Sequence, residues 1–160
     1  MAKTASYRGK AGVGISVNFN SLLEKIKEAE GDIEAATWDA ARKGARVMYD
    51  ELQAQASASG VPASVTSGIA FQAERDAGGN RFACKVGWRV PDYDPANPST
   101  AHKAIFLNYG TPHRYTESGA DRGYMDGLGF IGRAKKKARP KIKKAQEEAL
   151  QEILEGLPKK

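Results

Sequence analysis

The sequence predicts an α+β fold: a small antiparallel sheet of about three to four strands, packed against N-terminal helices and a long C-terminal helix. Three observations lead there. Apolar residues near both ends recur at three- and four-residue spacing, the mark of an amphipathic helix. Between those stretches they alternate in short runs bounded by Gly and Pro, the mark of strands. The strands follow one another across turns, which favours antiparallel pairing with the helices gathered on one face. One domain is expected, at residues 13–157, with a basic helix at 130–157, a flexible arm at 1–12 and a short tail at 158–160. A chain of 160 residues can bury roughly 70% of its unfolded surface and needs no covalent staple.

Gly12 to Asn20 alternates, with Val13, Ile15, Val17 and Phe19 on one side, and reads as a strand. Ser21 followed by Glu24 has the pattern of a capping box. Leu22, Ile26, Ala29, Ile33, Ala36 and Ala40 then form one helical stripe, which Gly31-Asp32 divides into a short helix and a longer one reaching about Ser57. Small residues (Ala36, Ala40, Ala41, Gly44, Ala45) fill the middle of the stripe and permit close approach of another backbone, within the chain rather than from another subunit. Ser59-Gly60-Val61-Pro62 ends the helix. Val65 to Asp76 and Arg81 to Val90 read as a hairpin around Ala77-Gly78-Gly79-Asn80, because Gly-Gly and Gly-Asn supply the positive φ of tight turns. Ile69, Phe71 and Ala73 share one side, and Phe82, Cys84, Val86 and Trp88 alternate. Pro91 to His102 is a loop, Lys103 to Tyr109 the next strand, and 112–129 a long Gly-rich loop. Ile131, Ala134, Ala138, Ile142, Ala145, Ala149, Ile153 and Leu157 mark the last helix, which either begins anew at Pro140 or kinks there.

Composition excludes several functions. Cys84 is the only cysteine, so an intramolecular disulfide and a Cys-rich zinc site are ruled out. Its place on an apolar strand face marks a small core residue rather than a nucleophile. His102 and His113 fall in loop-like sequence without metal-ligand spacing, and Asp92 and Asp94 lack the further ligands of a calcium loop. No apolar run approaches the ~20 residues of a membrane span. The N-terminus lacks the apolar stretch of a signal peptide, so synthesis in a reducing cytoplasm is expected. No phosphate loop, dinucleotide fingerprint or nucleophile elbow occurs. We therefore expect no catalytic residues, no metal and no cofactor. An enzyme using the 112–126 loop, through His113 and Glu117, is the weakest reading considered.

Charge is the most informative feature. The chain carries +6, but its first 132 residues hold fifteen basic and fifteen acidic side chains. The excess lies in Arg133, Lys135, Lys136, Lys137, Arg139, Lys141, Lys143 and Lys144, eight cations in twelve residues with no acid between them. Like charges at four-residue spacing, such as Lys137 and Lys141, repel, so an anionic neighbour is attractive: nucleic acid or an acidic protein surface. No aromatic residue interleaves the run, which points to backbone contact rather than base recognition.

Three features carry a family likeness. These are the helical pair Leu22 to Ala56 followed by Val61-Pro62 and Ser67-Gly68-Ile69, the step Phe106-Leu107-Asn108-Tyr109-Gly110-Thr111, and Phe130-Ile131 leading into Ala134. In this order, over about residues 15–155, the chain resembles the small head–tail joining proteins of long-tailed bacteriophages, also called neck, tail-completion or minor tail-component proteins. An acidic residue is usual just before the Gly-Thr step, where Asn108-Tyr109 stands here, and the 112–129 loop is longer than the family needs. The resemblance implies a structural virion protein, assembled in the host cytoplasm. It would form a ring of six copies or a multiple, hexamer or dodecamer, between portal connector and tail tube. Its partners would be itself, the neighbouring neck, portal-adaptor and tail-tube proteins, and packaged double-stranded DNA passing through, with no membrane. Tyr93, Tyr109, Thr111, His113, Arg114, Tyr115 and Tyr124 are then candidate subunit contacts. The alternative is a stand-alone, non-specific nucleic-acid-binding module using residues 133–144.

Overall fold

The computed structural model describes residues 12–13, 20–29, 31–75, 82–89 and 97–157. Its helices are α1 (Asn20–Glu28), α2 (Ile33–Ala58), the single turn α3 (Ala63–Thr66), α4 (Thr100–Tyr109) and α5 (Phe130–Gly156). Its strands are β1 (Gly12–Val13), β2 (Ala70–Arg75), β3 (Phe82–Gly87), β4 (Gly110–Thr111) and β5 (Met125–Asp126). Among the described residues every sheet contact is antiparallel, and only β2 and β3 run for six residues, from Ala70 opposite Gly87 to Arg75 opposite Phe82. The short β1 lies along β3, Gly12 opposite Gly87 and Val13 opposite Val86. β4 and β5 form a separate pair.

α2 and α5 are the two long elements and they run antiparallel. Contacts pair Lys43 with Glu152, Gly44 with Gln146, Glu51 with Lys141 and Ser59 with Arg133, so α2 rises as α5 descends. The small-residue stripe is what lets them meet. Ala36, Ala40, Gly44 and Ala45 on α2 and Ala134, Ala138 and Ala149 on α5 are all buried. A Cβ on Gly44 would lie 2.8 Å from the Gln146 side chain. The close approach expected from those residues is therefore made within the chain.

Two apolar clusters are strung along this pair. The larger joins Met48, Leu52, Val65, Ile69, Val86, Trp88, Ile105, Phe130, Ile131 and Ile142. The smaller lies toward the other end, where Ile26 of α1 meets Ala36, Ala40, Ala149 and Leu150. Trp88 knits the larger cluster together. Its indole N–H donates to the Val65 carbonyl at 2.7 Å, and its ring meets Phe130 edge to face at 6.1 Å, an arrangement worth ~0.5–1.5 kcal/mol beyond burial.

Several sequence expectations change. Lys103 to Tyr109 is not a strand but the body of α4, so the fourth expected strand does not form. The reason is visible once the window opens at Ser99. Ser99 caps the helix, accepting from the His102 backbone N–H, and Ala101, Ala104, Ile105 and Asn108 are buried at helical spacing. His102 is accordingly a buried helical residue rather than a loop residue. The strand expected from Val65 begins only at Ala70, because Ala63–Thr66 coils into α3 after Pro62. Phe71 is exposed while Ile69 is buried, so they do not share a face. Ser21 lies inside α1 rather than capping it. α5 runs unbroken through Pro140, which is exposed. Residues 112–129 are not structureless: they leave on β4, return on β5 and close through a bridge between Tyr115 and Asp121. The arm, residues 14–19 of the first strand, the Ala77–Asn80 turn and the 158–160 tail lie outside the described residues.

The start of α5 is fixed by α4. The Asn108 side-chain oxygen accepts from the Ile131 N–H at 2.8 Å, its backbone carbonyl accepts from Gly129, and the Leu107 carbonyl accepts from Leu128. Asn108 is buried, so this amide satisfies an orphan donor at the helix start that water cannot reach. Gly110 (φ 79°) and Gly127 let the two backbones cross here, since a Cβ on Gly127 would stand 2.6 Å from the Tyr109 carbonyl carbon.

Asn108→Ala should therefore cost ~1–2 kcal/mol, a fall in melting temperature of about 3–6 °C for a chain of this size. Asn108→Asp, which keeps an acceptor beside the positive helix end, should recover most of it. Calorimetry of the three proteins checks this, and an alanine variant as stable as the parent would remove the cap from the account.

Candidate functional site

α5 offers its inner stripe, Ile131, Ala134, Ala138 and Ile142, to the core, and the basic side chains occupy the rest of its circumference. The structure divides those eight cations into two groups. Arg133 donates to the Ser59 hydroxyl at 2.7 Å. Lys141 reaches Glu51 across the helix pair, Nζ to Oε2 at 2.8 Å. Lys143 and Lys144 stand 3.7 and 3.6 Å from Glu147 and Glu148, one helical turn on. Lys135, Lys136, Lys137 and Arg139 are exposed and form no ion pair or hydrogen bond among the described residues. Four-residue like-charge neighbours recur at Arg133–Lys137, Lys135–Arg139, Lys137–Lys141 and Arg139–Lys143.

The order of charge along α5 is the reverse of what a helix prefers. A helix start carries partial positive charge and its end partial negative charge. Here the cations fill the first half, with Arg133 in the opening turn, and Glu147, Glu148, Glu152 and Glu155 fill the second. The Lys143–Glu147 and Lys144–Glu148 pairs also run in the weaker of the two orders, lysine before glutamate.

Glu51 is the structural counterpart of this run. Its carboxylate is buried in α2 and takes donors on both oxygens, Lys141 on one and the Gln55 amide on the other at 3.1 Å. The hydrogen bond from Lys141 holds the Glu51 carboxyl below its ordinary value against the opposing effect of burial, with the Lys141 and Lys137 charges adding to the shift. Lys141 thus serves the fold. Sequence reading grouped it with the free cations because its partner lies 90 residues away.

The second exposed feature is the hairpin between β4 and β5. Arg114 and Gly123 pair through their backbones, Arg122 donates to the Arg114 carbonyl, and Thr116 closes the tip with Gly119 and Ala120. Asp121 holds its base, accepting from the Gly123 N–H at 2.7 Å and facing His113 Nδ1 at 3.3 Å. His113 lies against Tyr124 (4.9 Å between centroids) and beside Tyr115 (6.3 Å). Tyr109, Tyr115 and Tyr124 are each about 60% exposed (64, 64 and 59%). Of the expected contact residues, Tyr109, His113, Arg114, Tyr115 and Tyr124 are thus on the surface. Thr111 is half-buried, its hydroxyl enclosed, and Tyr93 lies outside the described residues. Glu117 is exposed at the hairpin tip.

Cys84 is half-buried against the larger cluster, and burial pushes its thiol up against the opposing charge of Arg42. At neutral pH it is the thiol, not the nucleophilic thiolate. Among the described residues no group of three or more His, Cys, Asp or Glu side chains could hold a metal ion, and no helix is long and apolar enough to cross a membrane.

The Glu51–Lys141 pair generates a pH prediction. A carboxyl held below its unfolded value contributes stability that is present above the unfolded value and lost as pH falls through the folded one. Lys141→Met should cost about 1–2 kcal/mol at pH 7, because it leaves a buried carboxylate short of a donor. The difference from the parent should shrink once the pH is low enough to protonate Glu51 in the folded state. Urea unfolding at pH 7 and near pH 3 measures it, and a pH-independent difference would assign the loss to packing of the lysine stem.

Compared with protein-family models, curated proteins and solved structures, the chain finds no match in any of the three.

Proposed function

We propose that this chain is a structural protein of the head–tail interface of a long-tailed phage, a neck or tail-completion component. Copies of it form a ring joining the portal connector to the tail tube, and DNA passes through. The observation that carries the reading is the junction of the residues behind the family likeness. Leu107-Asn108 and Phe130-Ile131, 23 positions apart, meet in one buried clamp, with Asn108 capping the helix that Phe130 opens. Of the pair Asn108-Tyr109, which stands where the family has an acid, Asn108 supplies a side-chain acceptor to the Ile131 N–H. The loop that exceeds the family's length is the closed hairpin that carries Tyr115 and Tyr124. Ring contacts are heterologous, one patch against a different patch of the next copy. A rigid projecting hairpin with exposed tyrosines suits them, since tyrosine gives large contact area at small entropic cost.

Two outcomes follow. Particles made without the protein should be full heads and separate tails that do not join, and normal infectious particles would end the proposal. Tyr115→Ala with Tyr124→Ala should leave the melting temperature within about 1–2 °C, since both side chains are exposed. The same change should weaken ring formation tenfold or more, as loss of interface aromatics does. Electron microscopy and sedimentation velocity read this. A stand-alone nucleic-acid-binding module remains the second reading, favoured by the four unpaired cations of α5, and its sign would be tight binding by a chain that stays monomeric at every concentration.

A further inference from the structure

We infer that the outer face of the first half of α5, Lys135, Lys136, Lys137 and Arg139, is a docking face for the phosphate backbone of duplex DNA. The inference deepens the assembly reading by naming one partner, but it requires only a single folded chain. Three observations carry it. The four cations form no ion pair among the described residues, whereas Lys141, Lys143 and Lys144 do, and Lys137 acts only at a distance on Glu51, which Lys141 already holds. The four stand beside like charges at three- and four-residue spacing, which disfavour a helix, so helix stability does not explain them. And three of the four acids on the second half of α5 itself are already paired with lysines.

That last point argues against the acidic end of α5 in a second copy and in favour of duplex DNA. The acidic end of α5, where Glu147, Glu148, Glu152 and Glu155 border a shallow groove with Leu22 and Gln151, is the obvious seat for the basic face of a second copy. But Glu147 and Glu148 pair with Lys143 and Lys144, and Glu152 with Lys43 at 2.7 Å. Lys43 is held above its ordinary value chiefly by that hydrogen bond. Only Glu155 is left without a cation among the described residues, and it accepts from the Gln151 amide. One carboxylate cannot match four cations, whereas a duplex presents one negative charge per ~1.7 Å of its axis. The four side chains span five residues of helix, about 6 Å along its axis, with Lys136 pointing outward, Lys135 and Arg139 on one flank and Lys137 on the other, so a helix laid along the duplex can meet phosphates on both of its flanks. With no aromatic side chain among residues 132–144, the face has no platform for bases and reads backbone charge alone.

Fluorescence anisotropy with two 30-base-pair duplexes of unrelated sequence tests this on the full chain. Four neutralised phosphates predict a slope of about −3.6 in log affinity against log salt, roughly a 150-fold loss between 50 and 200 mM. Both duplexes should bind alike. Replacing Lys135, Lys136, Lys137 and Arg139 with Gln should reduce the slope to about −1 or less, with far-UV circular dichroism unchanged because all four side chains are exposed. Lys25→Gln with Lys27→Gln, on α1 at the far end of α5, should leave the slope as it is. Absence of binding by the parent, equal loss from the α1 pair, or a preference for one duplex would each overturn the inference. So would salt-sensitive self-association without DNA binding, which would assign the face to an acidic protein surface. Rings that form but bind no DNA would overturn this inference and leave the assembly reading standing. Binding by a chain that never forms rings would do the reverse.

Discussion

The close antiparallel approach of α2 and α5 is the constraint on which the rest depends. It requires side chains of almost no size where the helices meet, and Ala36, Ala40, Gly44, Ala45, Ala134, Ala138 and Ala149 supply them. The seam fixes which stripe of α5 is turned inward, and so which arc is left to solvent. Both apolar clusters hang from it, one at each end. A Cβ at Gly44 would lie 2.8 Å from the Gln146 amide nitrogen, so that side chain must move to admit a larger residue.

The seam sets the rotation of α5, and α4 sets where α5 begins. Asn108 ties the two by side chain and backbone at once. The same crossing gives the hairpin its direction, because β4 follows α4 directly and β5 lies three residues before Gly129, the cap of α5. Gly110 and Gly127 make the crossing possible where any side chain would meet backbone. The clamp fixes both ends of the hairpin, and the Arg114–Gly123 and Thr116–Ala120 backbone bonds close it on itself.

Legibility in the sequence followed the length over which one period held. The α1–α2 division at Gly31-Asp32, the small-residue stripe and the apolar stripe of α5 rest on repeats of many residues and were readable, though the continuity of α5 through Pro140 was not. The β2–β3 pairing was readable from alternation and turn residues. α4 was not. Its residues Ile105, Phe106 and Tyr109 favour strands, and its helical spacing shows only when Ala101 and the Ser99 cap are included. α3 is too short to show a period at all. The basic run was obvious as composition. Its division into structural and free cations was not, since Glu51 lies 90 residues from Lys141 and Ser59 lies 74 from Arg133. Local charge patterns do show in sequence, as Lys143–Glu147 does, but partners across a helix seam do not.

The charge pattern of α5 works against its own helix, so its persistence needs a physical account. Four like-charge neighbours at four-residue spacing cost together ~1–2 kcal/mol, and Pro140 in the interior costs about 3 more. Against this, the inner stripe buries Phe130, Ile131, Ile142 and Leu150, each contributing roughly 1.5–3 kcal/mol. The helix is therefore held by its packed face, and its outer face is free to carry charges that helix stability alone would disfavour. Lys141 shows where that freedom ends. At the edge of the seam a cation must answer to a buried carboxylate, while within two turns, at Lys135 to Arg139, the cations form no ion pair among the described residues, and an outside anion can pair with them.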